Sequence, residues 1–217
     1  MSDDAVLYEV VDHVATITFN RPEQQNTISG PMLNSLTEFM LQADADTDVR
    51  AMIITGAGKF FCAGLDLRGS DITNNLSEGK SSPANLDLRN TPPTVLHNLD
   101  TPTIAALNGS AAGYGMDLAL GCDIRIMSDG AKLAAAFTAR GVVPESGGTW
   151  ILPRLIGWSK ASEIIFTGKT LTAQECIEMG LVSRLANNNE VVAEAQKTAQ
   201  EIASNAPLAV QASKRMM

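Results

Sequence analysis

Apolar and β-branched positions over residues 6–12 and 14–20, parted by Asp12-His13, predict a β-hairpin at the start of the chain. Pro22 breaks the pattern. Ser29-Gly30-Pro31 then supplies a helix start with proline in its first turn, and Met32, Leu33, Leu36, Phe39 and Met40 recur at helical spacing. Short apolar runs at 51–55, 103–107, 123–127 and 132–137 read as strands, the first closed by Gly56 and the second by Asn108-Gly109. Beyond Gly141 the pattern becomes mostly helical, with helices predicted over 146–156, 158–167, 172–179 and 189–204. Strands that run through glycine-rich turns into helices favour a layered α/β fold.

Two stretches escape this pattern. Residues 69–90 are polar and aperiodic, which predicts a long loop of the kind kept for function or disorder. Residues 207–217 read as a helix whose pattern stops without a cap, so the sequence is expected to end short of a complete helical region. A net charge of −8 argues against a nucleic-acid partner, which calls for a basic face. The first nine residues resemble neither a signal nor a transit peptide, and no apolar run is long enough to span a bilayer, so no membrane partner is expected. Cys62, Cys122 and Cys176 have no CxxC spacing and an odd count, which fits buried thiols in a reduced cytoplasm. His13 and His97 lack any Cys, Ser-Asp or metal-ligand context, so no metal site is expected; the methionines read as core filling.

The chemistry is concentrated in two glycine turns. Residues 56–67 (GAGKFFCAGLDL) follow a predicted strand but lack the GxxxxGK[ST] spacing of a phosphate loop. Small residues there let the backbone pass close to something, although a tight strand-to-helix turn explains them as well. Residues 108–117 (NGSAAGYGMD) carry a strand into an apolar helix whose N-terminus suits an anionic oxygen. If the main-chain N–H groups of Leu65 and Tyr114 converged, they would form an oxyanion hole able to stabilise a thioester enolate by about 3–4 kcal/mol per donor.

The succession FCAGLDL, PTIAALNGSAAGYGMDLALGCDIRI, GVVPESGGTWILPRLIG and TGKTLTAQECIEMGLVSRL resembles the crotonase (enoyl-CoA hydratase/isomerase) family over nearly the whole chain. The resemblance implies an α/β fold of the ClpP/crotonase type, a spiral of ββα units forming a core over 1–190, with 191–217 opening a C-terminal helical trimerisation region. It implies acyl-CoA substrates, with coenzyme A entering as part of the thioester and no permanently bound cofactor, and a homotrimer or dimer of trimers. Leu65 and Tyr114 fall at the family's oxyanion-hole positions. Ala63, Gly64, Asp66 and Leu67 fall where coenzyme A is held, Arg21 borders the nucleotide, and Lys59 is a further possible phosphate neighbour.

The carboxylates favour one branch of that family. Of the hydratase branch's two glutamates, the first aligns with Asp117 and the second with Phe137, which can neither bind nor deprotonate water. The isomerase branch has a third position, in the Pro-acid turn, filled here by Glu145. A double-bond shift moves one proton between carbons, so a single carboxylate suffices; Phe137, Trp150 and nearby apolar residues are expected to bury it and raise its pKa. This makes Glu145 the candidate base and Asp117 a second acid or an orienting group. Alternatives are a hydratase using Asp117 with Glu145, and a degenerate member that only binds acyl-CoA. Glu145 is also placed as an ordinary helix-end charge, and Asp66 and Asp123 as local caps or hydrogen-bond acceptors.

Overall fold

The computed structural model describes residues 5–66, 91–144 and 146–217. Leu67, Glu145 and the polar stretch 69–90 therefore lie outside the described residues.

The hairpin β1 (Val6–Val11) and β2 (Val14–Phe19) is antiparallel and turns on Asp12 and His13, both at positive φ. Helix α1 (Gly30–Ala45) follows, burying Met32, Leu36, Met40 and Ala43 along one face. From there the chain repeats one move. Strands β3 (Ala51–Gly56), β5 (Thr103–Leu107) and β7 (Ile124–Ser128) enter a six-stranded sheet that β10 (Arg184–Ala186) completes, in the order β1-β2-β3-β5-β7-β10, parallel from β2 onward. Each is followed by a three-residue strand, β4 (Phe60–Cys62), β6 (Ser110–Ala112) and β8 (Lys132–Ala134), in a second sheet completed by β9 (Thr170–Thr172). Helices α2 (Pro92–Asn98) and α3 (Tyr114–Gly121) close two of these turns. This is the spiral of ββα units that the resemblance implies.

β3 and β5 are buried along their whole length because both faces of the large sheet are covered, as a parallel sheet requires. Met52 and Ile54 face the main core; Ala51 and Ile53 face a second core beneath α7 (Val191–Ala203), where Val191, Ala195 and Ala199 form an i, i+4, i+8 stripe. Helices α4 (Gly148–Ile156), α5 (Trp158–Thr167) and α6 (Ala173–Glu178) precede β10 (Arg184–Ala186), and α8 (Pro207–Met216) ends the chain.

The strand expected over 132–137 stops at Ala134, and Phe137 instead leads into a single 3-10 turn, Thr138–Arg140. The helix expected from 146 begins at Gly148, because Ser146 and Gly147 form the preceding turn. At the far end of α3, the buried Arg125 guanidinium donates to the carbonyls of Cys122 and Leu181 at 2.5 Å each and of Leu120 at 3.3 Å. A cation at a helix C-terminus meets the negative end of its dipole, and this one pins α3 to the sheet.

Candidate active site

Residues 63–66 leave β4 and run along segment 25–28, tied to it by three main-chain bonds. Ala63 N–H donates to the Gln25 carbonyl (3.1 Å), Ile28 N–H to that of Gly64 (2.9 Å), and Asp66 N–H to that of Ile28 (2.9 Å). The segment is itself held by fully buried Asn26, whose Nδ2 donates to the carbonyls of Ala57 (2.9 Å) and Phe60 (2.7 Å). Its Oδ1 accepts the Arg21 N–H at 2.9 Å.

A trans peptide points its C=O and N–H in opposite directions. Since the Gly64 carbonyl is engaged by Ile28, the Leu65 N–H points away from that segment. The Gly113 carbonyl likewise accepts from Asp117 N–H at 3.1 Å, so the Tyr114 N–H is directed out of the N-terminal, positive end of α3. Gly64 joins the two turns. Its φ is +103°, and a Cβ there would stand 3.0 Å from the Ala112 carbonyl oxygen and 3.7 Å from Tyr114 N. Only glycine allows that approach without strain.

Asp117 lies one turn into α3 and is 2% exposed. Its Oδ2 accepts the Ser146 hydroxyl at 2.5 Å and the Gly148 N–H at 3.3 Å, so a buried charge is met by donors from the start of α4. The contact depends on Gly148, where a Cβ would fall 2.1 Å from Asp117 Oδ1. Phe137 is 7% exposed, and its Cε1 lies 3.9 Å from the point a Cβ on Gly113 would occupy. An apolar ring thus flanks the turn that carries Tyr114. Trp150, expected to help bury Glu145, is itself 47% exposed.

Arg21 and Asp66 pair with each other at 3.2 Å, and Arg21 Nη1 also donates to the Thr27 carbonyl at 2.7 Å. This ion pair braces the 63–66 turn, while Lys59 is exposed nearby in the chain. Asp123 serves as an acceptor for the Thr103 N–H (2.7 Å) and hydroxyl (2.8 Å). Burial pushes the Cys62 thiol up to about 12, with a smaller opposing effect from the Gly64 N–H, so it is not a thiolate at neutral pH. Among the described residues no group of three His, Cys, Asp or Glu side chains is placed to hold a metal, and no helix is long and apolar enough to cross a membrane. Sequence reasoning missed Asn26 and Ser146. The tolerance of Asn for the left-handed region (φ 54°) was the available signal for the first, and Ser146 had none.

The model of the enoyl-CoA hydratase/isomerase family matches residues 9–217. The short-chain-enoyl-CoA hydratase of Clostridium acetobutylicum is 36% identical over 97% of this chain and 79% of its own length. The 1,2-epoxyphenylacetyl-CoA isomerase of Escherichia coli is 36% identical over 92% and 76%. The crystal structure of enoyl-CoA hydratase from Bacillus anthracis superimposes with a TM-score of 0.86 at 35% identity, covering 97% of this chain and 81% of that one. A match this long, at this identity and on this fold, makes the chain a member of the enoyl-CoA hydratase/isomerase family, with the crotonase fold.

Proposed function

We propose that the protein is an enoyl-CoA isomerase, shifting a double bond in an acyl-CoA thioester through an enolate. In this reading the thioester oxygen rests against the main-chain N–H groups of Leu65 and Tyr114. A carboxylate, assigned to Glu145, removes a proton from the carbon next to the carbonyl of a 3-enoyl thioester. The electron pair spreads onto the oxygen and along the chain, and the same proton returns two carbons further on, leaving a 2-enoyl thioester with no atom gained or lost. Asp117 acts as a second acid or, through Ser146 and Gly148, as an orienting group for the segment that follows Glu145 in the chain.

The observation that carries the reading is Phe137. Where a hydratase would need its second carboxylate, this chain has a buried ring against Gly113, and a phenyl group cannot activate water. Coenzyme A is proposed to lie along residues 63–67, with Arg21 stabilising that segment through Asp66. Hydration by Asp117 with Glu145 is the second reading, favoured by the Clostridium relative's name as a hydratase.

The test is turnover of a 3-enoyl-CoA against hydration of crotonyl-CoA by the same preparation. Isomerisation should dominate, and Glu145→Gln should lower it by about 10²–10⁴ at unchanged CoA affinity. Faster hydration of crotonyl-CoA than isomerisation would reject the assignment.

A further inference from the structure

Helices α2 and α4 both pack on α3, and between them lies an apolar hollow of about 270 Å³. Pro93, Thr94 and His97 line one side; Gly147, Trp150 and Ile151 line the other. Trp150 is braced in place: the His97 ring meets it edge-on with centroids 4.9 Å apart, and the Arg154 guanidinium sits 3.8 Å over its ring. Such a side chain is half-exposed yet fixed, which suits a surface that receives an apolar ligand more than one that swings freely.

The position of the hollow matters as much as its lining. Gly147 borders it, and the next residue donates its N–H to Asp117. Along α3 the axis rises about 1.5 Å per residue, so Asp117 lies roughly 4–5 Å beyond Tyr114. Pro93 approaches the same helix further on, at Gly121, where a Cβ would stand 3.2 Å from the Pro93 carbonyl oxygen. A thioester whose carbonyl rests at Tyr114 and whose reacting carbons pass Asp117 would carry the rest of its acyl group toward this space.

We infer that the hollow between α2 and α4 is the subsite for the distal acyl group, and that Trp150 makes it select a ring-bearing acyl-CoA over a short straight-chain one. This rests on the acyl-CoA reading above. A cavity of about 150 Å³ suffices for a benzene ring; this hollow is larger, and Pro93 and the Trp150 indole wall a broad, shallow space. Its polar groups are few, so an apolar ring loses little hydration that it would need to recover.

Calorimetric titration of the full chain with phenylacetyl-CoA, acetyl-CoA and CoA tests the inference without catalysis. Phenylacetyl-CoA should bind at least about tenfold more tightly than acetyl-CoA. Trp150→Ala should erase that preference while acetyl-CoA affinity stays within about twofold, a range too small for a lost specific contact. Thr94→Trp, which fills the hollow and keeps the indole, should do the same. A preference that survives both variants, or a wild-type protein that binds the two thioesters equally, overturns the subsite and leaves the isomerase reading to the 3-enoyl-CoA assay. If none of the CoA compounds bind, both readings fall together.

Discussion

Ser146 donates its hydroxyl to Asp117 Oδ2 at 2.5 Å, and so joins the middle of α3 to the turn that opens α4. The Gly148 N–H reaches the same oxygen at 3.3 Å. Both donors come from the turn that follows Pro144, so the carboxylate and that turn hold each other in place. Removing either partner leaves a buried polar group to be desolvated without return.

Ser146→Ala and Asp117→Ala should therefore be strongly coupled. Each single change is expected to cost about 1–3 kcal/mol of stability in urea unfolding, the range for hydrogen bonds to charged groups. The double variant should fall short of the sum by roughly 1–3 kcal/mol, because both remove one interaction. A simple sum would mean that the 2.5 Å contact does not bind the two elements together in solution.

Helix α6 offers a pH-dependent test remote from the site. Thr172 and Glu175 form a capping box: the Thr172 side chain accepts the Glu175 N–H, and the Glu175 carboxylate accepts the Thr172 N–H at 2.8 Å. That backbone bond, with Lys169 and the Thr172 hydroxyl behind it, holds the Glu175 carboxyl below its ordinary 4.5. A depressed folded-state pKa contributes stability above the unfolded value, which fades as pH falls through the lower folded value. Glu175→Gln should accordingly destabilise the protein at pH 7, and the gap to wild type should shrink as unfolding is repeated below about pH 4. Thr172→Ala should cost about 1 kcal/mol at pH 7. An E175Q deficit independent of pH would remove the carboxylate from this account.

What the sequence made legible follows the range of each interaction. The fully apolar β3 and β5 and the periodic α1 declare themselves locally, since burial on both faces or on one stripe leaves a pattern in the residues themselves. β4, β6 and β9 are three residues each, too short for any period to show, so the small sheet was legible only at β8, and β10, equally short, was missed at the edge of the large sheet. The two glycine turns were readable because the backbone freedom they need restricts the residue type, as at Gly64. Phe137 leaves its strand, Trp150 faces the hollow beside α2, and Ser146 meets Asp117 only through packing of helices far apart in the chain. No local pattern encodes those encounters.

Lys214 ties the last helix to the spiral. Its Nζ lies 2.7 Å from Asp123 Oδ2 and donates to the Thr101 carbonyl at 2.9 Å, and the side chain is only 10% exposed. Asp123 is more open at 29%, so the pair falls between an exposed bridge and a buried one. Lys214→Met should lower stability by about 1–3 kcal/mol. The loss should persist in high salt, because a half-covered pair is screened less than a surface one. Abolition of the difference by salt would mark Lys214 as an ordinary surface charge.

Gly64→Ala tests whether main-chain geometry carries the catalysis. At φ +103° an alanine is strained, and its methyl would press on the Ala112 carbonyl oxygen at 3.0 Å. Relief of that contact rotates the peptide between residues 64 and 65, the same unit that aims the Leu65 N–H. Isomerisation of a 3-enoyl-CoA should fall by about 10²–10³, as when one oxyanion donor is withdrawn. Urea unfolding of the same variant separates misdirection of one amide from collapse of the fold: loss of both the unfolding transition and turnover would point to unfolding, whereas turnover lost alone assigns the effect to the donor. Near-normal turnover in a folded G64A protein would show that the Leu65 amide does not stabilise the enolate.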